Sequence, residues 1–314
     1  MSASPYETVI CIQGPTASGK SALAEEIARR KEGEIVSADS MQIYIGMDIG
    51  TAKTPPHKRD ITYHCIDIVH PGQAYSAALF QHDARKAIQD IQSRGHLAIL
   101  CGGTGLYVRA ALDEMDFARG DSESPARRKY TMLAEELGSE KLHDMLAQAD
   151  PQSAELIHPH NVRRVIRAFE MLEEGESYAQ RKRTFKNVPA HIPSVKLALD
   201  LDRELLYERI DARVDAMIEN GLVDEVRGLL DDGFRDALTS SQAIGYKEIV
   251  SYLDGCMSLD EAVCLIKQSS RRYAKRQLTW LRSDSEIIWL HANDGITDTL
   301  VATALDAIER GLET

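Results

Sequence analysis

The stretch GPTASGKS, Gly14 to Ser21, constrains this chain more than any other. It fits G-x-x-x-x-G-K-[ST], a nucleotide- or ATP-binding type of loop. Before it, TVICIQ (Thr8–Gln13) is a short β-branched apolar run, the pattern of a buried strand. After it, SALAEEIARRK is the pattern of an amphipathic helix. Strand, glycine-rich loop and helix form the setting in which such a loop cradles phosphate: backbone N–H groups converge at a helix N-terminus, where the macrodipole adds to their field. Lys20 adds a mobile positive charge, and the Ser21 hydroxyl suits Mg²⁺. The eight residues alone do not separate a triphosphate from a diphosphate ester. No guanine-type N-K-x-D occurs elsewhere, so the diphosphate ester is as good a ligand.

Further strand signals follow in EIVSAD (Glu34–Asp39), HLAILCGG (His96–Gly103) and VKLALDLD (Val195–Asp202). Strands alternating with helices predict an α/β fold: a P-loop NTPase-like parallel sheet flanked by helices. The carboxyl ends of its strands bring Gly14–Ser21, Asp39 and Thr104 to one crevice. Residues 119–194 read differently, as polar helices without strand candidates. ARGDSESPARRKY opens the stretch and NVPAHIPS closes it. This predicts a catalytic core of 1–118 and 195–314 carrying a helical insertion at 119–194. No apolar run approaches the roughly 18 residues needed to span a bilayer. No secretion signal opens the chain, and five scattered cysteines form no C-x-x-C pair, so a reducing cytoplasm is the expected setting.

Asp39 follows a strand, where a carboxylate suits general-base work or Mg²⁺ binding, and equally a helix N-cap. Thr104 in GGTGLY has the same two readings: a hydrogen bond to a reacting group, or a cap. The net charge of −12 argues against a nucleic-acid partner, but the basic residues are clustered. NVRRVIRAFE carries Arg163, Arg164 and Arg167. QRKRTFK carries Arg181, Lys182, Arg183 and Lys186. RRYAKRQLTWLR (Arg271–Arg282) has five positive charges and no acid, with Tyr273 and Trp280 interleaved. Such a stretch reads as a solvated helix face or as a phosphate-tracking surface with stacking partners. DDGFRD (Asp231–Asp236) superficially matches an Asp-rich metal motif, but Gly233 marks it as a helix-terminating loop.

These pieces, in this order, resemble the tRNA dimethylallyltransferases of bacterial type. The resemblance rests on GPTASGKS, SADSMQIYIGMDIGTAK, HCIDIV, GGTGLY, HPHNVRRVIRAFE, RIDARVDAMIENGLVDEV, SQAIGYKEI and RRYAKRQLTWLR, which together span nearly the whole chain. It implies an enzyme that transfers the dimethylallyl group of dimethylallyl diphosphate to N6 of adenosine 37 in tRNA, releasing diphosphate. By carry-over, Gly14, Pro15, Thr16, Ala17, Ser18, Gly19, Lys20 and Ser21 hold the diphosphate, with Mg²⁺ at Ser21. Lys20 and Arg213 stabilise the leaving group. Asp39 is the general base, and Thr104 hydrogen-bonds beside it. The tRNA anticodon stem-loop lies against Asp39, Ser40, Met41, Gln42 and Thr104. It also meets Arg163, Arg164, Val165, Ile166 and Arg167, and then Gln242, Ala243, Ile244, Gly245, Tyr246 and Lys247. A cytoplasmic monomer is implied. The chain departs from the family at HPHN, where His160 and Asn161 replace a common Asn-Asp, and at Tyr63 and His70. Two rivals remain. An adenylate isopentenyltransferase needs no tRNA-gripping insertion, and a small-metabolite kinase uses ATP rather than a prenyl donor.

Overall fold

A computed structural model of the chain describes residues 7–117, 124–185, 188–237 and 239–313. The opening of ARGDSESPARRKY (118–123) and Lys186 of QRKRTFK lie outside the described residues. Two compact units divide the chain: Met1–Leu112 with His191–Thr314, and Asp113–Ala190.

The first unit is built on six parallel strands: β1 (Val9–Gln13), β2 (Gly33–Ser37), β3 (Tyr63–His64), β4 (Leu97–Gly102), β5 (Ser194–Asp200) and β6 (Ile288–His291), in the order β3-β2-β4-β1-β5-β6. The α/β reading is therefore correct. β1, β2 and β4 are buried along their whole length, which is why they read as unbroken apolar runs rather than alternating ones. The sequence missed two strands. β3 has only two residues, and β6 pairs along one side only, so neither carries a pattern of its own.

Helices α1 (Lys20–Lys31), α2 (Ala77–Ser93) and α3 (Gly105–Leu112) belong to the first half of this unit. After β5 come α9 (Arg203–Glu219), α10 (Leu222–Asp231), α11 (Tyr246–Leu253), α12 (Leu259–Leu281) and α13 (Asp298–Leu312). One apolar cluster packs α1, α9 and α13 onto the sheet through Leu23, Ile27, Ile210 and Val301. A second seats the segment after β2, through Ile43, Tyr44 and Met47, against Val214, Val226, Tyr246 and Ile266 of α9–α12. That second cluster fixes one wall of the crevice. DDGFRD does end a helix: α10 stops at Asp231, and Gly233 has a left-handed φ of 81°. Among the described residues, no helix is long and apolar enough to cross a membrane.

Glu34 on β2 is a buried carboxylate held by Arg94 and, at 2.7 Å, by His64. Hydrogen bonding from Arg94 outweighs burial and, with His64, holds the carboxyl at about 2. A depressed folded-state pKa means stability that is present above the ordinary value of 4.5 and lost as pH falls towards 2. Glu34→Gln is expected to cost roughly 1–2 kcal/mol at neutral pH, because part of the pair is exposed. Urea unfolding at pH 7 and pH 3 should show the two proteins converging at the lower pH.

The second unit holds α4 (Pro125–Leu137), α5 (Ser139–Ala149), α6 (Pro151–Leu156), α7 (Val162–Glu173) and α8 (Tyr178–Thr184). Its core includes Leu142, Leu146, Val165 and Phe169, with Tyr130 stacked on Phe169 at 4.1 Å between ring centroids. It begins and ends a few residues earlier than the boundaries of 119 and 194 read from the sequence. The reason is local. Asp113, just after α3, forms an antiparallel bridge with Ala190, and the chain from His191 onwards hydrogen-bonds to Leu112. At the departure HPHN, Asn161 is the N-cap of α7, its side chain accepting from the Arg164 N–H at 3.4 Å. Asn serves this role as well as Asp, so the departure keeps the cap.

Candidate active site

The loop Gly14–Ser21 links β1 to α1, with Ala17 and Gly19 in left-handed backbone conformations (φ 64° and 92°). Such alternation turns successive N–H groups towards one point. Not all of them face a ligand: Ser18 N–H donates to the Pro15 carbonyl, and Thr16 N–H donates at 2.9 Å to the Gln277 side chain of α12. Lys20 Nζ donates to the Pro15 carbonyl at 3.3 Å. The Ser18 hydroxyl is fully buried without a protein partner.

Asp39 and Thr104 sit on neighbouring loops because β2 and β4 are paired through Ser37 and Cys101. The two loops touch at Gly102, where a Cβ would lie 2.2 Å from the Ala38 carbonyl oxygen, so only glycine fits. Thr104 Oγ1 accepts the Ser40 N–H at 3.1 Å and donates to Ser40 Oγ at 3.3 Å. Its carbonyl, not its hydroxyl, opens α3 by accepting from Tyr107 and Val108. Asp39 Oδ1 accepts the Met41 N–H at 2.9 Å, an Asx turn rather than a helix cap.

Arg213 of α9 donates to the Thr51 carbonyl at 3.3 Å. It lines a cavity of about 280 Å³ with Thr16, Asp39, Ser40, Met41, Gln242, Tyr273 and Arg276. Ile210, Val214, Met217, Ile244 and Ile266 form an apolar wall of the same cavity. Burial pushes the Lys20 and Arg213 pKa values down; the Asp39 carboxylate pulls both up, while the neighbouring Arg213 charge lowers Lys20 further. Two partly buried cations thus share one carboxylate, which leaves a positive pole near an apolar wall.

Some predicted tRNA-facing side chains point inward. Gln42 bonds to the Ser37 hydroxyl and to the Thr51 carbonyl. Tyr246 is fully buried and donates to Glu225. Val165 and Ile166 pack in the core of the helical unit, because they fall on the apolar side of α7. Ala243 is buried where it borders the cavity, with Ile244 partly exposed beside it and Gly245 preceding α11. Gln242 and Lys247 are exposed, as are Arg163 and Arg164, whereas Arg167 reaches Glu170 at 3.4 Å. Within RRYAKRQLTWLR, Arg271 is paired with Asp211 and Tyr273 faces the cavity rather than solvent. Arg272, Lys275, Arg276 and Arg282 remain exposed.

Three contributors escaped sequence reasoning. Gln277 bridges two loops. The Glu225 carboxylate accepts the N–H groups of Asp48, Ile49 and Gly50, fixing the segment that carries Thr51. Lys53 is buried against Asp48 and Asp67. Gln277 had a legible signal: it is a polar residue on the buried stripe Ala262, Ile266, Ala274 and Leu281 of α12.

The metal question turns on donors. Ser21 is exposed in the first turn of α1, and among the described residues no group of three His, Cys, Asp or Glu could hold a metal. This set fits Mg²⁺ held chiefly by phosphate oxygens and water with one protein hydroxyl, and not a metal caged by protein.

A family profile described as IPP transferase matches residues 42–284. The chain belongs to the IPP transferase family. Members of the IPP transferase family transfer prenyl groups, so this chain is a prenyl-transferring enzyme. A tRNA dimethylallyltransferase of Carboxydothermus hydrogenoformans is 46% identical over 304 residues, covering 95% of this chain and 97% of that protein. The tRNA dimethylallyltransferase of Geobacillus thermodenitrificans is 46% identical over 92% of this chain and 91% of its own length. The solved full-length tRNA isopentenylpyrophosphate transferase of Bacillus halodurans superposes with a TM-score of 0.73 at 41% identity, covering 98% and 97% of the two chains. A eukaryotic dimethylallyltransferase acting on tRNA gives 0.78 at 29% identity, covering 96% of this chain and 80% of that one.

Proposed function

We propose that this chain transfers the dimethylallyl group from dimethylallyl diphosphate to N6 of adenosine 37 in tRNA, releasing diphosphate. The observation that carries the reading is Arg213 set against an apolar wall in one cavity that contains Asp39, with Lys20 at the head of α1 close enough to feel both charges. A diphosphate joined to a short branched hydrocarbon matches both halves. Relatives named for dimethylallyl transfer to tRNA support the choice of donor and acceptor.

The chemistry follows from these residues. The amino group of adenine is a poor nucleophile, because its lone pair is delocalised into the ring. Asp39 accepts the N6 proton as the new C–N bond forms, an assistance of about 10²- to 10⁴-fold. As the C–O bond breaks, the diphosphate gathers charge. The loop N–H groups, Lys20 and Arg213 stabilise that charge more in the transition state than before it. Mg²⁺ bound near Ser21 would supply further neutralisation of the diphosphate. The apolar wall of Ile210, Val214 and Met217 keeps water from an allylic carbon that carries partial positive charge. The target base is reached by flipping it from its stack. The exposed Arg163 and Arg164 of the helical unit, and Gln242 and Lys247 of the core, are suited to tRNA contact.

The test offers the purified protein radiolabelled dimethylallyl diphosphate with tRNA, with AMP, or with neither. Label on tRNA is expected. Label on AMP and not on tRNA would overturn the reading in favour of an adenylate isopentenyltransferase.

A further inference from the structure

We propose that Gln277 is a positioning residue for prenyl transfer, setting the separation between the loop that holds the donor and the loops that present the acceptor. This rests on the reading of the cavity given under Proposed function. Gln277 is 6% exposed, and both ends of its amide are engaged. Oε1 accepts the Thr16 N–H at 2.9 Å, in the loop after β1. Nε2 donates at 2.9 Å to the Gly103 carbonyl, in the loop after β4. The amide packs closely against the backbone there, since a Cβ at Gly103 would be 2.2 Å from Nε2.

The position of this bridge in the sheet explains its use. β1 and β4 are paired up to Gln13 and Gly102, the last rung of the ladder. Beyond that rung the two chains separate to build the donor loop and the Thr104 turn. Gln277 joins them beyond the end of the ladder, at Thr16 three residues past Gln13 and at Gly103 one residue past Gly102. Neighbours on the same helix face reinforce it. Tyr273 interacts with the Thr104 side chain, and Trp280 covers Gly105, where a Cβ would be 2.1 Å from the indole nitrogen. Transfer requires the reacting carbon and nitrogen to be held about 3–3.5 Å apart, and a misplacement of about 1 Å costs on the order of 10²-fold in rate. A side-chain amide can accept at one atom and donate at the other without adding charge. Methionine of similar length would leave the Thr16 N–H and Gly103 C=O unpaired. Ionised glutamate would set a carboxylate oxygen against the Gly103 carbonyl.

The experiment compares wild type, Gln277→Met and Gln277→Glu as full-length proteins. It records kcat, affinities for dimethylallyl diphosphate and tRNA, and hydrogen exchange at the Thr16 amide. Expected are a fall in kcat of about 10- to 100-fold in Gln277→Met with both affinities little changed, and faster exchange at Thr16. The rate of Gln277→Glu relative to wild type should rise as pH falls, since a protonated carboxyl again donates to Gly103. Should Gln277→Met fail to fold, the pH profile of Gln277→Glu carries the test. Unchanged kcat, parallel loss of kcat and both affinities, or a flat Gln277→Glu to wild-type ratio would overturn the proposal. If wild type moves no prenyl group to tRNA, the functional reading fails separately. Thr16 exchange no faster in Gln277→Met than in wild type would then overturn the bridge itself.

Discussion

Asp39→Ala is expected to lose about 10²- to 10⁴-fold in the rate of prenyl transfer while keeping its affinity for tRNA. Asp39 is the sole acid lining the cavity among the described residues, and it faces the pole formed by Lys20 and Arg213. Its Oδ1 also accepts the Met41 N–H, so alanine removes both a base and a turn-forming contact. Asp39→Asn separates the two roles. The Asn side-chain oxygen can still accept from Met41, but an amide cannot take the proton from adenine N6. If proton transfer is the role, Asn is as impaired as Ala. If the role is to hold the turn, Asn restores turnover. Single-turnover rates for the two variants, with tRNA affinity measured in parallel, decide between these outcomes. Near-wild-type turnover in Asp39→Asn would sink the general-base assignment.

The parts of this site that were legible in sequence are those whose function is written in local chain geometry. GPTASGKS declares its own strand, loop and helix. Asp39 and Thr104 each follow an apolar run that had to be a buried parallel strand, so their arrival at one crevice follows from topology alone. The apolar wall, and the partners of the bridging amide, were hidden for the opposite reason. Gln277 meets Thr16 across a separation of 261 residues, and no short-range pattern records such a pairing. Glu225 is similar: in the sequence it is one acid on a helix full of them, yet three loop N–H groups converge on it. Residues grouped as runs also mislead when a helix sorts them by face. Arg163–Arg167 reads as one basic block, but α7 turns Val165 and Ile166 into the core and pairs Arg167 with Glu170. The same sorting divides RRYAKRQLTWLR into an exposed basic side and a side, Tyr273 and Gln277, that belongs to the cavity and its loops.

Arg213→Ala is expected to lower kcat/KM for dimethylallyl diphosphate by about 10²- to 10³-fold, the scale seen when a preorganised donor to a developing anion is removed. Arg213 is partly buried near Lys20, and its desolvation disfavours its charge, with Asp39 as compensation. Before the donor binds, the pole therefore opposes folding. A bound diphosphate reverses this, because it supplies the charge that the cations lack. Inorganic diphosphate should accordingly raise the unfolding temperature of wild type, by an amount corresponding to about 2.7 kcal/mol at a concentration of 100 Kd. In Arg213→Ala the gain at the same concentration should be much smaller, while the unliganded variant should unfold at nearly the same temperature as wild type, or higher. Arg213→Lys should recover only part of the activity: it restores charge, but a single ammonium cannot hold the Thr51 carbonyl and a phosphate oxygen in the planar geometry of a guanidinium. Equal stabilisation of wild type and Arg213→Ala by diphosphate would show that the leaving group is held elsewhere, and the cavity would lose its claim to the donor.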